Sequence, residues 1–170
     1  MESLTTIPRD SPVFVDSNIF VYHFCYAPDQ GLSTRTTEFF LRSIRDGLRL
    51  FTSTSVLAEV LHRALLYEAT AKFDVDPKTT LNKIQKNPAL TKDLTEYHTI
   101  PQSIVEFGVN VLSITMETIV ASERWRRAYG LFVNDSLIAA LMQQHAFKYL
   151  ATNDSDFDLI TEFVVCKPSL

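Results

Sequence analysis

The sequence predicts an α/β fold: a short central parallel sheet flanked by helices in a three-layer α/β/α arrangement. Three observations carry this. Apolar runs of three to six residues, Val13–Val15, Leu48–Thr52, Val109–Ile114, Tyr149–Ala151 and Phe163–Cys166, are too short for helices and suit buried strands. Segments with the apolar spacing of helices separate them, and such alternation marks parallel sheets whose strands are covered on both faces. At 170 residues, 46% hydrophobic and 21% charged, the chain suits a single domain over residues 1–170.

Taken in order, Val13-Phe14-Val15 is a strand that stops at Asp16. Ile19 to Phe24 starts a helix with Ser17 or Asn18 as its N-cap, and Pro28, Asp29 and Gly31 break it. Ser33 or Thr34 caps the next helix, which carries Phe40, Leu41 and Ile44 and ends at Gly47. After the Leu48–Thr52 strand, Ser53 to Ser55 open a helix whose stripe is Val56, Leu57, Val60, Leu61, Ala64 and Leu65. Between about residues 69 and 107 the composition turns to Lys, Thr, Asn and Asp, with Pro77, Pro88 and Pro101. Short helices at Thr79–Lys86 and Thr91–Thr99 make it an inserted helical lobe. The Val109–Ile114 strand is followed by helices at Met116–Ala128 and Asp135–Ala146, then by the last two strands.

Sixteen Lys and Arg against twenty Asp and Glu leave a net charge of −4, which excludes coating of nucleic acid by bulk charge. Cys25 and Cys166 stand far apart, with neither disulfide framework nor thiolate metal spacing. The first ten residues contain Glu2, Arg9 and Asp10 and lack the apolar core of a secretory signal, and no apolar run is long enough to cross a membrane. A soluble, cytoplasmic protein with no membrane association is the expectation.

In parallel sheets the site lies beyond the carboxyl ends of the strands, and the acidic residues concentrate there. Asp16 follows the first strand, and Asp154 and Asp156 follow Tyr149–Ala151. Glu59 lies in the first turns of the helix after the second strand, and Asp135 opens a late helix. Each has a plainer reading: Asp16 as a helix cap, Glu59 as the i,i+4 partner of Arg63, Asp135 as favourable with the helix dipole, Asp154 and Asp156 as turn formers. Convergence weakens those readings, because two carboxylates about 4 Å apart repel by roughly 4 kcal/mol at an effective dielectric near 20. A divalent cation or protonation must relieve such a cluster. Oxygen ligands without His or Cys select hard ions such as Mg²⁺ or Mn²⁺, and His23, His62, His98 and His145 show no metal-ligand spacing.

Four segments, Val13-Phe14-Val15-Asp16-Ser17-Asn18, Ser55-Val56-Leu57-Ala58-Glu59-Val60 with Arg63, Asn134-Asp135-Ser136-Leu137-Ile138-Ala139-Ala140, and Ala151-Thr152-Asn153-Asp154-Ser155-Asp156-Phe157, occur in this order. Together they resemble the PIN domain, the ribonuclease fold of VapC-type toxins and related RNA-processing nucleases. The resemblance implies a metal-dependent endoribonuclease acting on single-stranded RNA, as a toxin of a toxin–antitoxin pair or as a processing nuclease. It implies Asp16, Glu59, Asp135 and Asp154 as the catalytic quartet, Asp156 as an auxiliary acidic group, and Ser17, Asn18 and Thr152 as polar supports. One or two Mg²⁺ or Mn²⁺ ions would be held chiefly by Asp16, Asp135 and Asp154, with either Asp154 or Asp156 as the metal-touching group of its segment and Glu59 holding a metal-bound water or orienting the nucleophile. The sequence departs from the compact toxins in its 69–107 insertion and its acidic balance.

A negative pocket needs basic residues at its rim to gather RNA. Arg42, Arg45 and Arg49, then Lys78, Lys83 and Lys86, then Arg124, Arg126 and Arg127 are the candidates. Phe20, Tyr22, Phe24, Tyr26, Phe39 and Phe40 supply either core or a homodimer or antitoxin surface. The competing reading is a catalytically silent PIN-like module that binds RNA or a protein. Phosphoryl-transfer alternatives fail on motif: a haloacid-dehalogenase-like phosphatase needs D-x-D where this chain has Asp16-Ser17-Asn18, and a phospho-receiver needs an extra acidic pair before that aspartate.

Overall fold

The computed structural model describes residues 1–168. Their strands are β1 (Glu2–Ser3), β2 (Pro12–Val15), β3 (Arg49–Ser53), β4 (Asn110–Leu112), β5 (Tyr149–Ala151) and β6 (Val164–Lys167). They form one sheet in the order β1-β6-β5-β2-β3-β4, and every pairing is parallel. Phe14 of β2 lies opposite Phe51 on one side and Leu150 on the other, which makes β2 the central strand. The chain leaves β2 outward through β3 and β4, then returns across to β5 and β6. The order therefore reverses between β2 and β5, the crevice where open parallel sheets place their ligands.

The helices are α1 (Ser17–Phe24), α2 (Gln30–Arg45), α3 (Thr54–Phe73), α4 (Pro77–Lys86), α5 (Ile100–Glu106), α6 (Met116–Tyr129) and α7 (Val133–Gln144). α1 packs on α2 and α3, and α6 packs on α7. Right-handed crossovers running in opposite directions put the two groups on opposite faces. Between them Val13, Phe14, Val15, Ile19, Leu150, Ala151 and Phe157 are fully buried, a core matching the sheet-centred prediction.

Local chemistry moves several helix starts. Asp16, not Ser17 or Asn18, caps α1, its carboxylate accepting the Ser17 N–H at 2.6 Å. α2 begins four or five residues earlier than Ser33 or Thr34 would have it, because Asp29 accepts the Leu32 N–H. Its end at Gly47 is as expected: that residue has φ +67°, and a Cβ there would stand 2.5 Å from the Asp10 carboxylate. β1, which nothing in the polar N-terminus announces, is a two-residue strand held on β6.

The 69–107 region is helical but does not start as a separate piece. α3 runs straight through residue 69 to Phe73, and Ala69, Ile84 and Leu94 form a small second core with Leu65, Leu66, Phe73 and Tyr97. Glu68 accepts the backbone N–H groups of Thr95 and Tyr97 at 2.7 and 3.0 Å, and the Thr70 and Thr80 hydroxyls bond at 2.8 Å. No α-helix spans residues 91–99. Two 3₁₀ turns, Pro88–Asp93 and Glu96–Thr99, flank an extended Leu94 that must reach the small core. Pro77 and Pro101 open α4 and α5, where a missing N–H costs nothing.

Of the aromatic set read as core or surface, Phe20, Phe39 and Phe40 are core, with the Phe20 and Phe40 rings 5.7 Å apart. Tyr26 is exposed and stacks on Tyr67.

Candidate active site

Four of the five acidic residues singled out from the sequence meet at the β2–β5 crevice. A cleft of about 290 Å³ is lined by Asp16, Ser17, Asn18, Tyr22, Glu59, Arg63, Asp135, Asn153, Asp154 and Ser155. Asp16 arrives from the tip of β2, Asp154 from the tip of β5, Glu59 from the second turn of α3 and Asp135 from the first turn of α7. The fifth acidic candidate, Asp156, is exposed outside the cleft lining, and its N–H donates to Asp154 at 2.9 Å.

Asp16 is buried and held on both oxygens. Its Oδ1 accepts the Ser17 N–H, and its Oδ2 accepts the Asn18 amide at 2.6 Å and the Thr152 hydroxyl at 2.7 Å. Thr152 Oγ1 in turn accepts the Asn18 amide at 3.0 Å and the Asp154 N–H at 3.0 Å. The Asn18 carbonyl accepts the Asn153 N–H at 2.9 Å. Asn18 and Thr152 thus lock the β2 and β5 tips together and fix the Asp16 rotamer, while Ser17 donates its hydroxyl to Glu59 at 2.8 Å. All three residues expected to support the carboxylates touch one.

The electrostatics match a crowded anionic pocket. Burial raises the Asp16 carboxyl to about 6, with the Glu59 and Asp154 charges adding to the rise, against the pull of the Thr152 and Ser17 hydrogen bonds. Asp135 is raised to about 7 by burial first, then by Asp16, Asp154, Asp156 and Glu59. Both shifts come first from burial, and the neighbouring carboxylates add to them.

The donor set suits a hard divalent cation: four carboxylates, with amide and hydroxyl oxygens around them and neither His nor Cys among the lining residues. Among the described residues no three such side chains already stand in a metal-holding geometry. Asp135 and Asp154 are only partly buried.

The basic rim candidates lie outside this lining. Arg42, with 15% of its side chain exposed, donates to the Leu4 and Ile7 carbonyls and to Asp46, bracing α2 to the N-terminal segment. Arg126 bonds Ser122 and Ser136, tying α6 to α7. Arg45 pairs with Asp46, Arg127 with Glu123, and Arg124 lies over Trp125 near Glu162. Lining residues that the sequence reading did not assign to the pocket are Tyr22, Arg63, Asn153 and Ser155. Tyr22 stands four residues after Asn18 and Arg63 four after Glu59, so helical spacing from an assigned residue was the available signal.

Comparison with known proteins agrees with this architecture. The family model of the PIN domain matches residues 13–162. A toxin–antitoxin complex from Klebsiella pneumoniae contains a chain similar in fold, with a TM-score of 0.56 and 18% identity over 92% of this chain and 97% of that one. Mycobacterium tuberculosis VapC20, a Sarcin-Ricin loop cleaving toxin, is similar with a TM-score of 0.56 and 15% identity over 88% of this chain and 97% of that one. No curated protein matches the chain in sequence. With a family match over residues 13–162, which takes in β2 to β5 and all seven helices, and four carboxylates at the switch point of the sheet, this chain belongs to the PIN domain family.

Proposed function

We propose that this protein is a divalent-metal-dependent endoribonuclease that hydrolyses phosphodiester bonds of single-stranded RNA, and that it works as the toxin of a toxin–antitoxin pair. The observation that carries the chemistry is the gathering of Asp16, Glu59, Asp135 and Asp154, from four separate elements, into one cleft at the β2–β5 crevice. The toxin assignment rests on likeness to the two solved structures, of which one is a toxin–antitoxin complex and the other a toxin. An antitoxin is the partner this assignment requires, and the cytoplasm is where both would meet RNA. No helix of the described residues is long and apolar enough to cross a membrane.

Asp16, Asp135 and Asp154 would hold Mg²⁺ or Mn²⁺. When bound, such an ion supplies charge neutralisation at the phosphate and lowers the pKa of a water. The protein's own residues do the rest. The hydrogen bonds of Ser17, Asn18 and Thr152 present Asp16 in one orientation, so no rotamer search precedes binding. Glu59, held by the Ser17 hydroxyl and only partly buried, would accept a proton from an attacking water at its second oxygen. An exposed strand reaches an open cleft more readily than a duplex, which favours single-stranded substrate.

Incubation of short single-stranded RNAs with Mg²⁺, Mn²⁺ or EDTA, beside Asp16→Asn and Asp135→Asn, tests the reading. Metal-dependent cutting lost in both variants supports it. Equal inertness of all three proteins, with no Mn²⁺ binding by calorimetry, would leave a silent interaction module.

A further inference from the structure

One guanidinium faces the acidic cleft. Arg63 lines it beside Asp16, Glu59, Asp135 and Asp154, and it is the one cation among the lining residues. Its place follows from α3, one turn beyond Glu59 on the same helical face. Its grip on Glu59 is loose: Nη1 stands 3.7 Å from Oε1, and that oxygen already accepts the Ser17 hydroxyl at 2.8 Å. A guanidinium carries five N–H donors in a rigid fork matched to phosphate. One contact at 3.7 Å leaves most of that capacity unspent among the described residues. The arginines of α2 and α6 contrast with it, since Arg42 and Arg126 are committed to carbonyl, carboxylate or hydroxyl oxygens at 3.0 Å or less.

Arg63 is also not the counter-ion of the strand tips. Among the described residues its one carboxylate contact is Glu59, and it forms no ion pair with Asp16, Asp135 or Asp154. The cleft therefore has two sides. Asp16, Asp154 and Asp135 come from β2, β5 and α7, and the guanidinium stands with Glu59 on α3. Tyr22 of α1 lines the same cleft, and its hydroxyl accepts a 3.4 Å bond from the Asn153 amide. Four carboxylates outnumber one guanidinium, so an anionic strand entering this cleft is repelled except on its guanidinium side.

We infer that Arg63 is a phosphate-binding residue: its guanidinium holds the RNA phosphodiester adjacent to the one cleaved, with Tyr22 and Asn153 beside it. This rests on the nuclease reading above and adds to it the residue that gives the strand its register in the cleft. A point charge at this position is insufficient, because the planar fork grips two phosphate oxygens at once.

The test uses Arg63→Gln and Arg63→Lys in the full chain. Three quantities are measured: KM and kcat on a short single-stranded RNA with Mn²⁺, affinity for a fluorescent copy of that RNA in Ca²⁺ as a function of salt, and Mn²⁺ affinity by calorimetry without RNA. Arg63→Gln raises KM about 10- to 100-fold, the loss of a charge-assisted pair, while kcat moves less than about threefold. The slope of log affinity against log salt shrinks by about 0.7, one phosphate contact on a single strand. Arg63→Lys recovers part of both, and Mn²⁺ binds equally or more tightly once a positive charge is removed. If Arg63 merely positions Glu59, Mn²⁺ affinity and kcat fall while KM and the salt slope stay put, and the inference is overturned. Cutting by wild type with unchanged KM and slope in Arg63→Gln overturns the phosphate assignment and leaves the nuclease standing. A wild type that neither cuts nor binds RNA overturns both.

Discussion

Thr152→Val tests the physical keystone of the site. The two side chains have nearly the same shape, so the substitution deletes a hydroxyl and little else. Thr152 is fully buried, and its hydroxyl serves three partners: it donates to Asp16 at 2.7 Å and accepts from the Asn18 amide and the Asp154 N–H, each at 3.0 Å. A hydrogen bond to a charged group contributes about 1.5–3 kcal/mol, and a neutral one about 1. Asn18 keeps its other bond to Asp16, and the partly exposed Asp154 N–H can turn to water, so the two neutral losses together come to about 1 kcal/mol. The expected cost is about 2–4 kcal/mol when Asp16 is ionised. For a domain of this size each kcal/mol lowers Tm by roughly 2–4 °C, so the midpoint should fall by about 5–15 °C. Thr152→Ser keeps the hydroxyl and deletes one buried methyl, for about 1 kcal/mol. Urea unfolding of the three proteins at pH 8 in EDTA measures the difference. If Thr152→Val costs no more than Thr152→Ser there, the network does not hold Asp16 and the account of the β2–β5 junction is wrong.

Three further outcomes follow from the same structure. Asp135 is raised from 3.8 to about 7, so its contribution to stability is full below about pH 4 and is lost progressively as pH rises from there through about 7; Asp135→Asn in EDTA should raise Tm most at pH 8, less at pH 5 and little below about pH 4, and an equal change at all three would refute the burial and crowding of charge that raise it. Glu68 is partly buried, which raises its pKa, but the backbone N–H groups of Tyr97, Glu96 and Thr95 win and lower it. Its contribution is therefore present at neutral pH and lost as pH falls through the depressed value, and Glu68→Gln should destabilise at pH 7 and converge on wild type in acid, followed by thermal melts. Arg42→Ala should cost about 2–4 kcal/mol by stripping charge-assisted bonds from Leu4, Ile7 and Asp46. Arg42→Lys should not restore it, because an ammonium lacks the fork, and RNA affinity should keep its salt slope in both.

The order of elements was legible in the chain because it depends on local pattern. Val13-Phe14-Val15 can bury both faces only as a central strand, and the stripe from Val56 to Leu65 can bury one face only as a helix. The acidic candidates were legible for a related reason: each follows a strand or lies in the first two turns of a helix, and parallel sheets align those points on one edge. Helix starts were read less well. Asp16 and Asp29 proved stronger caps than the Ser, Asn and Thr candidates downstream of them, and Pro77 opens α4 ahead of the expected Thr79.

Tertiary structure alone decided which charges share the pocket. Asp154 and Asp156 are equivalent in sequence, and only the turn after β5 puts the first in the cleft and leaves the second outside its lining. Arg42, Arg126 and Arg63 are equally basic in sequence, yet two brace helices and the third faces the carboxylates. The physical reason is one of range. Strand, helix and cap are settled by neighbours within a turn or two, whereas a side chain's partners are settled by residues 134 or 136 positions away, as where Asn18 donates to Thr152 and Thr152 donates to Asp16.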